Sequence, residues 1–190
     1  MKALEDKILN EGTVLKGNIL KVGSFLNHRL DVEFLVEIGQ EIKRLFEGCG
    51  VNKIMTIESS GIAIAVVAAA AMGVPAVFAK KNKSANVSGE VYSATIHSYT
   101  HGYDYTAVVS KDYLSSDDNV LIVDDFLANG KALEGLIDIV AQSGARLAGC
   151  SCAIEKGFQG GGDRLRERGI KVESLAVVES MDENGIIFRK

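Results

Sequence analysis

Residues 120–132 read VLIVDDFLANGKA, and this stretch decides the fold. Val120 to Val123 are four consecutive apolar residues, the composition of a strand buried on both faces. The run ends in Asp124 and Asp125, crosses a short loop holding Asn129 and Gly130, and enters a helix expected over Lys131 to Gln142. Two carboxylates at the end of a buried strand are costly unless something pairs with them, and sugar hydroxyls or a metal-bound ligand could do so. The glycine-containing loop that follows offers backbone N–H groups to an anion at a helix N-terminus, helped by the helix dipole. Carboxylates for hydroxyls beside a cradle for phosphate suit a sugar phosphate. The plainer reading, in which the two aspartates begin a turn and cap the next helix, stays open on spacing alone.

Outward from this stretch, strands and helices alternate. Leu4 to Asn10 reads as a short helix stopped near Gly12, and Val14 to Val22 as one extended piece. Asp31 can cap a helix over Val32 to Phe46, with Leu35, Ile38, Ile42 and Leu45 at helical spacing. Lys53 to Ile57 is a strand, followed by Ser59, Ser60, Gly61, an alanine-rich helix and a strand over Ala76 to Ala79. Residues 80–104 are polar and read as a mobile excursion with a weak hairpin, and long excursions inside compact domains often carry function. Tyr105 to Ser110 reads as a strand. After residue 142 come a strand over Leu147 to Ile154, a helix near Asp163 to Arg168 and a strand over Val172 to Val178. No repeat or linker divides the chain, so one domain over 1–190 is expected. The pattern predicts an α/β fold, a mostly parallel sheet with helices on both faces. Ligands of such sheets sit at the carboxyl ends of the strands, where the informative residues fall.

Composition narrows the function classes. At 47% hydrophobic and 24% charged, the 190 residues belong to the ordinary globular class and can bury a full core without staples. The net charge of −4 and the lack of a basic stripe argue against nucleic acid as a main partner. Ile62 to Ala79 carries no charge, but Gly73 and Pro75 interrupt it, leaving less than the roughly 20 residues a membrane helix needs. The N-terminus is charged and amphipathic, unlike a signal peptide. Three cysteines without metal-site spacing fit a reducing, cytoplasmic setting, with Cys150 and Cys152 on one face of a strand.

The stretch 120–132 resembles the ribose-phosphate motif of type I phosphoribosyltransferases: a hydrophobic run, two acidic residues and a small-residue loop usually written Ala-Thr-Gly-Gly-Thr. Here that loop is Ala128, Asn129, Gly130, Lys131 and Ala132. Two hydroxyl donors are lost, and Lys131 could restore attraction as a point charge. These departures are similar to the bacterial members of the family that act on xanthine. Ile57 to Gly61 resembles the family's pyrophosphate loop, where small residues let N–H groups approach a diphosphate. Lys80 and Lys81 resemble its basic segment, and the residues through Tyr92 and Tyr99 to Gly102 its mobile loop.

The resemblance implies transfer of a phosphoribosyl group from phosphoribosyl pyrophosphate to a purine. Asp124 and Asp125 would hold the ribose hydroxyls, Ala128 to Ala132 the 5-phosphate, and Ser59, Ser60, Gly61 and Lys81 the diphosphate. It implies base contacts at Leu20, Asn27 and Lys156, within a hood drawn from about residues 12–30 and 155–190. Their plainer readings are a core leucine, a turn asparagine and a solvated lysine. Phe25 and Phe158 could add apolar surface to such a hood. A magnesium ion on the substrate diphosphate is expected, with no protein ligand assigned, and a homodimer is implied. Orotate or another purine, or a non-catalytic regulator that binds phosphoribosyl pyrophosphate, are the rival readings. His28, His97 and His101 lie in no triad or metal spacing and read as surface or loop residues.

Overall fold

The computed structural model describes residues 1–81, 89–98, 103–182 and 185–190. An eight-stranded sheet runs through its middle in the order β10-β9-β8-β7-β3-β4-β6-β5. The strands are β3 (Lys53–Ile57), β4 (Ala76–Lys81), β5 (Val91–Ser98), β6 (Tyr103–Ser110), β7 (Asn119–Leu127), β8 (Arg146–Lys156), β9 (Val172–Asp182) and β10 (Gly185–Phe188). The five inner strands from β9 to β4 are parallel, and β10, β6 and β5 add antiparallel edges. A separate two-stranded hairpin, β1 (Thr13–Leu15) and β2 (Ile19–Lys21), precedes them.

Central strand β7 shows why the sheet needs cover on both faces. Leu121 and Val123 enter one hydrophobic cluster, with α1 (Lys2–Glu11), α2 (Val32–Leu45) and α3 (Gly61–Met72). Val120 and Ile122 enter the other, with α4 (Lys131–Gln142) and α5 (Gly161–Glu167). All four are completely buried. A strand with apolar side chains on both faces can rest only in the middle layer of three. Cys150 and Cys152 point into the second cluster as apolar filler, and burial pushes the Cys150 thiol up to about 12. Neither is poised as a thiolate.

Asp31 caps α2 as its side-chain oxygen accepts the Phe34 N–H at 3.3 Å. Other expectations need correction. Val14 to Val22 is no single extended piece: Gly17 (φ 83) and Asn18 (φ 60) turn left-handed and reverse the chain between β1 and β2. A short π-helix over Gly23–Asn27 then follows. The excursion of residues 80–104 holds a full eight-residue strand, β5, which pairs in antiparallel register with β6, itself expected over Tyr105 to Ser110, from Val91↔Ser110 to Ser98↔Tyr103. Residues 82–88 and 99–102, with His101, lie outside the described residues. The uncharged run Ile62 to Ala79 suggests a buried helix and a buried strand, but Val66 of the helix is 56% exposed and Phe78 of β4 40%. Among the described residues no helix is long and apolar enough to cross a membrane.

Candidate active site

The sheet order sets the position of the site. From β3 the chain crosses through α3 to β4 on one side, then returns to place β7 on the other side of β3. The crevice at the carboxyl ends of β3 and β7 is therefore the topological switch point, where open α/β sheets bind ligands. Residues 58–61 leave β3 there, and Lys81 and Lys156 end β4 and β8 at the same edge.

Strand β7 runs on to Leu127, so Asp124 and Asp125 lie inside it, at 6% and 7% exposed. Burial pushes the Asp124 carboxyl well above the usual carboxylate range, and the Asp125 charge adds to this. The charge of Lys81 works in the opposite direction. Asp125 accepts hydrogen bonds from the Asn27 amide at 2.9 Å and the Ser60 hydroxyl at 3.0 Å. Three segments far apart in sequence thus meet at one carboxylate. Asp124 Oδ1 accepts the Asp125 N–H at 2.9 Å.

The loop after β3 is held close. A Cβ on Gly61 would lie 2.1 Å from Thr56 Oγ1 and 2.9 Å from Asp124 Oδ1, so only glycine fits between strand and carboxylate. The Glu58–Ser59 peptide is cis. Glu58 Oε1 accepts the Lys81 N–H at 2.5 Å, while the Lys81 ammonium lies 5.3 Å over the Tyr105 ring. The Thr56 hydroxyl, which sequence reading missed, is buried without a hydrogen-bond partner among the described residues. Its signal in the chain was a threonine set among the apolar Ile54, Met55 and Ile57.

Beyond β7 the chain turns into α4 through Gly130 in the left-handed conformation. The Asn129 side chain accepts the Lys131 N–H at 3.1 Å, while the Gly130 and Ala132 amides find no acceptor among the described residues. Amides left free at a helix start are what an anion requires. Lys131 bonds Glu134 at 2.7 Å, so its charge is answered on the helix itself.

Lys156 sits half-buried at the end of β8, its ammonium 5.6 Å over the Phe126 ring and 2.9 Å from the Asn18 carbonyl. Burial lowers its pKa below the ordinary lysine value. Leu20 is only 6% exposed and belongs to the hydrophobic cluster below the hairpin, as does Phe25. The structure therefore gathers Asp124, Asp125, Asn27, Ser60 and Gly61 at one point, with Lys81 tied through its N–H to Glu58 of the adjoining loop. Lys156 stands at the neighbouring strand end, facing the hairpin turn. Among the described residues no group of three or more His, Cys, Asp or Glu could hold a metal ion. Of the histidines, His97 pairs with Asp104 across the β5–β6 ladder at 2.5 Å.

Residues 35–185 match the family model of the phosphoribosyl transferase domain. The chain belongs to the phosphoribosyltransferase family. This phosphoribosyltransferase is 54% identical to the xanthine phosphoribosyltransferase of Lachnoclostridium phytofermentans, over 100% of this chain and 98% of that one. It is 53% identical to xanthine phosphoribosyltransferase 2 of Clostridium botulinum over the whole of both chains, and 53% identical to the xanthine phosphoribosyltransferase of Bifidobacterium adolescentis over 98% of each. Among solved structures it is similar to the APRTase of Giardia lamblia complexed with 9-deazaadenine, with a TM-score of 0.78 at 21% identity, over 94% of this chain and 98% of that one. The adenine phosphoribosyl transferase of Trypanosoma brucei also gives 0.78, at 15% identity over 96% and 82%. At such identities the structural likeness speaks for the fold alone, the type I phosphoribosyltransferase fold. The chain is an enzyme, a pentosyltransferase.

Proposed function

We propose that this enzyme transfers the 5-phosphoribosyl group from phosphoribosyl pyrophosphate to xanthine, giving xanthosine 5′-monophosphate and pyrophosphate in purine salvage. The observation that carries the reaction is the pair of buried carboxylates, Asp124 and Asp125, beside the unpaired amides of Gly130 and Ala132. The choice of xanthine rests on the full-length likeness, above half identical, to enzymes of that name.

In this reading a purine ring nitrogen attacks the ribose anomeric carbon. The new N–C bond forms as the bond to pyrophosphate breaks, and the base releases its N–H proton. Positive charge builds on the ribose as the leaving group departs, and Asp124 and Asp125 hold the ribose hydroxyls with negative charge close by. The amides of Ala128 to Ala132 grip the 5-phosphate. Ser59, Ser60, Gly61 and Lys81 hold the departing diphosphate, so the rate comes from positioning and electrostatics. Asn27, tied to Asp125 in the free protein, turns its amide to the base edge, where a 2-oxo group needs a donor. Lys156 donates to the 6-oxo group or N7, and Leu20 closes the apolar side. Magnesium would neutralise the diphosphate charge. The two adjacent carboxylates, Asp124 and Asp125, fit a cation carried mainly by substrate oxygens and water.

We also take residues 1–190 as one unit, hooded by about 12–30 and 155–190, and place it in the cytoplasm, in keeping with three free cysteines. A homodimer fits the apolar surface of Leu30, Val32, Val36 and Val66, which are 45–64% exposed. That surface borders a groove of about 550 Å³ that also reaches Asn27, Ser59 and Ser60.

With phosphoribosyl pyrophosphate and magnesium, xanthine is expected to be converted best among xanthine, guanine, hypoxanthine and adenine. Equal use of all four would end the specificity claim, and use of none would end the reaction claim. Lys156→Ala should raise the KM for xanthine about tenfold or more, the scale of one charged hydrogen bond, with the KM for phosphoribosyl pyrophosphate within about twofold. A parallel rise in both would remove Lys156 from the base site.

A further inference from the structure

The Asn129–Gly130 peptide is fixed from two sides by residues of α5. A Cβ on Gly161 would lie 2.6 Å from both the Asn129 carbonyl carbon and the Gly130 nitrogen. Neither the Asn129 carbonyl oxygen nor a flanking Cα is nearer, as an approach in the peptide plane would require, so that point lies over the face of the peptide and the Gly161 backbone covers that face. The edge is held separately, by Arg164, whose Nη2 donates to the Asn129 carbonyl at 2.8 Å. In a planar trans peptide the C=O and N–H point in opposite directions. Fixing the carbonyl toward Arg164 therefore turns the Gly130 N–H away from it. That N–H is among the amides at the start of α4 for which no acceptor is found among the described residues.

The same guanidinium makes a second contact, longer, at 3.4 Å, from Nη1 to the Gln159 carbonyl. Gln159 closes the short 3-10 turn Gly157–Gln159 directly after Lys156. One planar head thus joins the loop at the start of α4 to the loop behind Lys156. A guanidinium is suited to this because its donors are held in a rigid fork, whereas an ammonium is a single point charge.

We propose that Arg164 is a positioning residue for the 5-phosphate: it aims the Gly130 N–H at the phosphate and locks the phosphate loop to the loop that carries Lys156. The inference rests on the reading of Ala128 to Ala132 as the phosphate cradle. Arg164 touches no reacting atom. Its side chain lies on the surface, so removing it leaves the hydrophobic core unchanged.

The test is calorimetric titration of wild type, Arg164→Ala and Arg164→Lys with two ligands, ribose 5-phosphate and pyrophosphate, alongside thermal melts. Ribose 5-phosphate needs the Gly130 amide, and pyrophosphate binds at the loop after β3. Arg164→Ala should weaken ribose 5-phosphate about tenfold, or about 1.4 kcal/mol, and leave pyrophosphate within about twofold. Arg164→Lys should recover part of the loss, since an ammonium can hold the Asn129 carbonyl without also reaching Gln159. Millimolar guanidinium should restore part of the binding to Arg164→Ala and do nothing for wild type. Unchanged ribose 5-phosphate affinity in Arg164→Ala overturns the proposal. So does an equal loss for both ligands with a lowered melting temperature, which is the mark of a merely structural contact. If wild type binds pyrophosphate but no ribose 5-phosphate, the cradle assignment itself fails.

Discussion

Asp124→Asn is expected to melt a few degrees above the wild-type chain at pH 8 while losing activity on the order of a hundredfold, the cost of one preorganised electrostatic group. Burial, then the neighbouring Asp125 charge, raises the Asp124 carboxyl in the folded protein. A group with a raised folded pKa binds its proton more tightly in the folded state than in the unfolded one. Its contribution to stability is therefore fully present below the unfolded value of about 3.9 and is lost as pH rises through the raised folded value. At pH 8 the wild-type chain must either ionise a buried carboxyl next to another or keep it protonated against solvent at that pH. Asparagine carries no such penalty and retains the oxygen that accepts the Asp125 N–H. The gain in melting temperature should shrink as pH falls toward 4 and vanish below it, where the wild-type group is protonated in both states. For a chain of this size each kcal/mol relieved shifts the midpoint by about 2–4 °C. Melts at pH 4, 6 and 8 alongside turnover measurements check both halves. A stability difference independent of pH, or activity near wild type, would contradict the assignment of Asp124 as a strained, functional carboxyl.

Gly161→Ala is expected to raise the KM for phosphoribosyl pyrophosphate by at least about tenfold and to lower stability by about 1–3 kcal/mol, the usual cost of overpacking. The added methyl would lie 2.3 Å from the Ala128 carbonyl oxygen and 2.6 Å from the Gly130 nitrogen. These are backbone atoms, which cannot swing aside as a flexible side chain can. Either the phosphate loop shifts or α5 withdraws, and both displace the amides proposed to hold the 5-phosphate. The KM for pyrophosphate in the reverse reaction should change by less than about threefold, because that group binds at Ser59 to Gly61. Parallel steady-state runs in both directions decide it. An unaltered KM for phosphoribosyl pyrophosphate would mean that the loop is not seated on α5 as described.

Helix α4 and strand β3 match their expected limits to the residue, because periodicity and end signals act locally. Strand β7 was foreseen to end at Val123, yet it continues to Leu127. Polar side chains usually mark a strand end, but here Asn27 and Ser60 arrive from elsewhere to pair with Asp125 and keep it buried. Gly157, Gly160, Gly161 and Gly162 lie within six residues, and glycine lowers every local preference. In the folded chain Gly161 and Gly162 are buried, the first against the phosphate loop and the second against Glu155, whose Oε1 would lie 2.1 Å from an added Cβ. Glu155 is itself fully buried, held by Arg166 at 2.6 Å, and nothing in its neighbours in sequence announces that partner.

By itself the amino-acid order determined the three-layer α/β class, the acidic pair, the small-residue loop after it and the start of α4. Each is written in contiguous residues, and hydrophobic period or backbone chemistry acts over that same range. Only the tertiary structure decided that Asn27, Ser60 and Asp125 share one carboxylate, that Thr56 and Asp124 leave room for no side chain at Gly61, and that Arg164 turns the Asn129–Gly130 peptide. Those contacts join residues from 5 to 98 positions apart. The crossing of the chain at the switch point brings them together, and no local preference encodes that crossing.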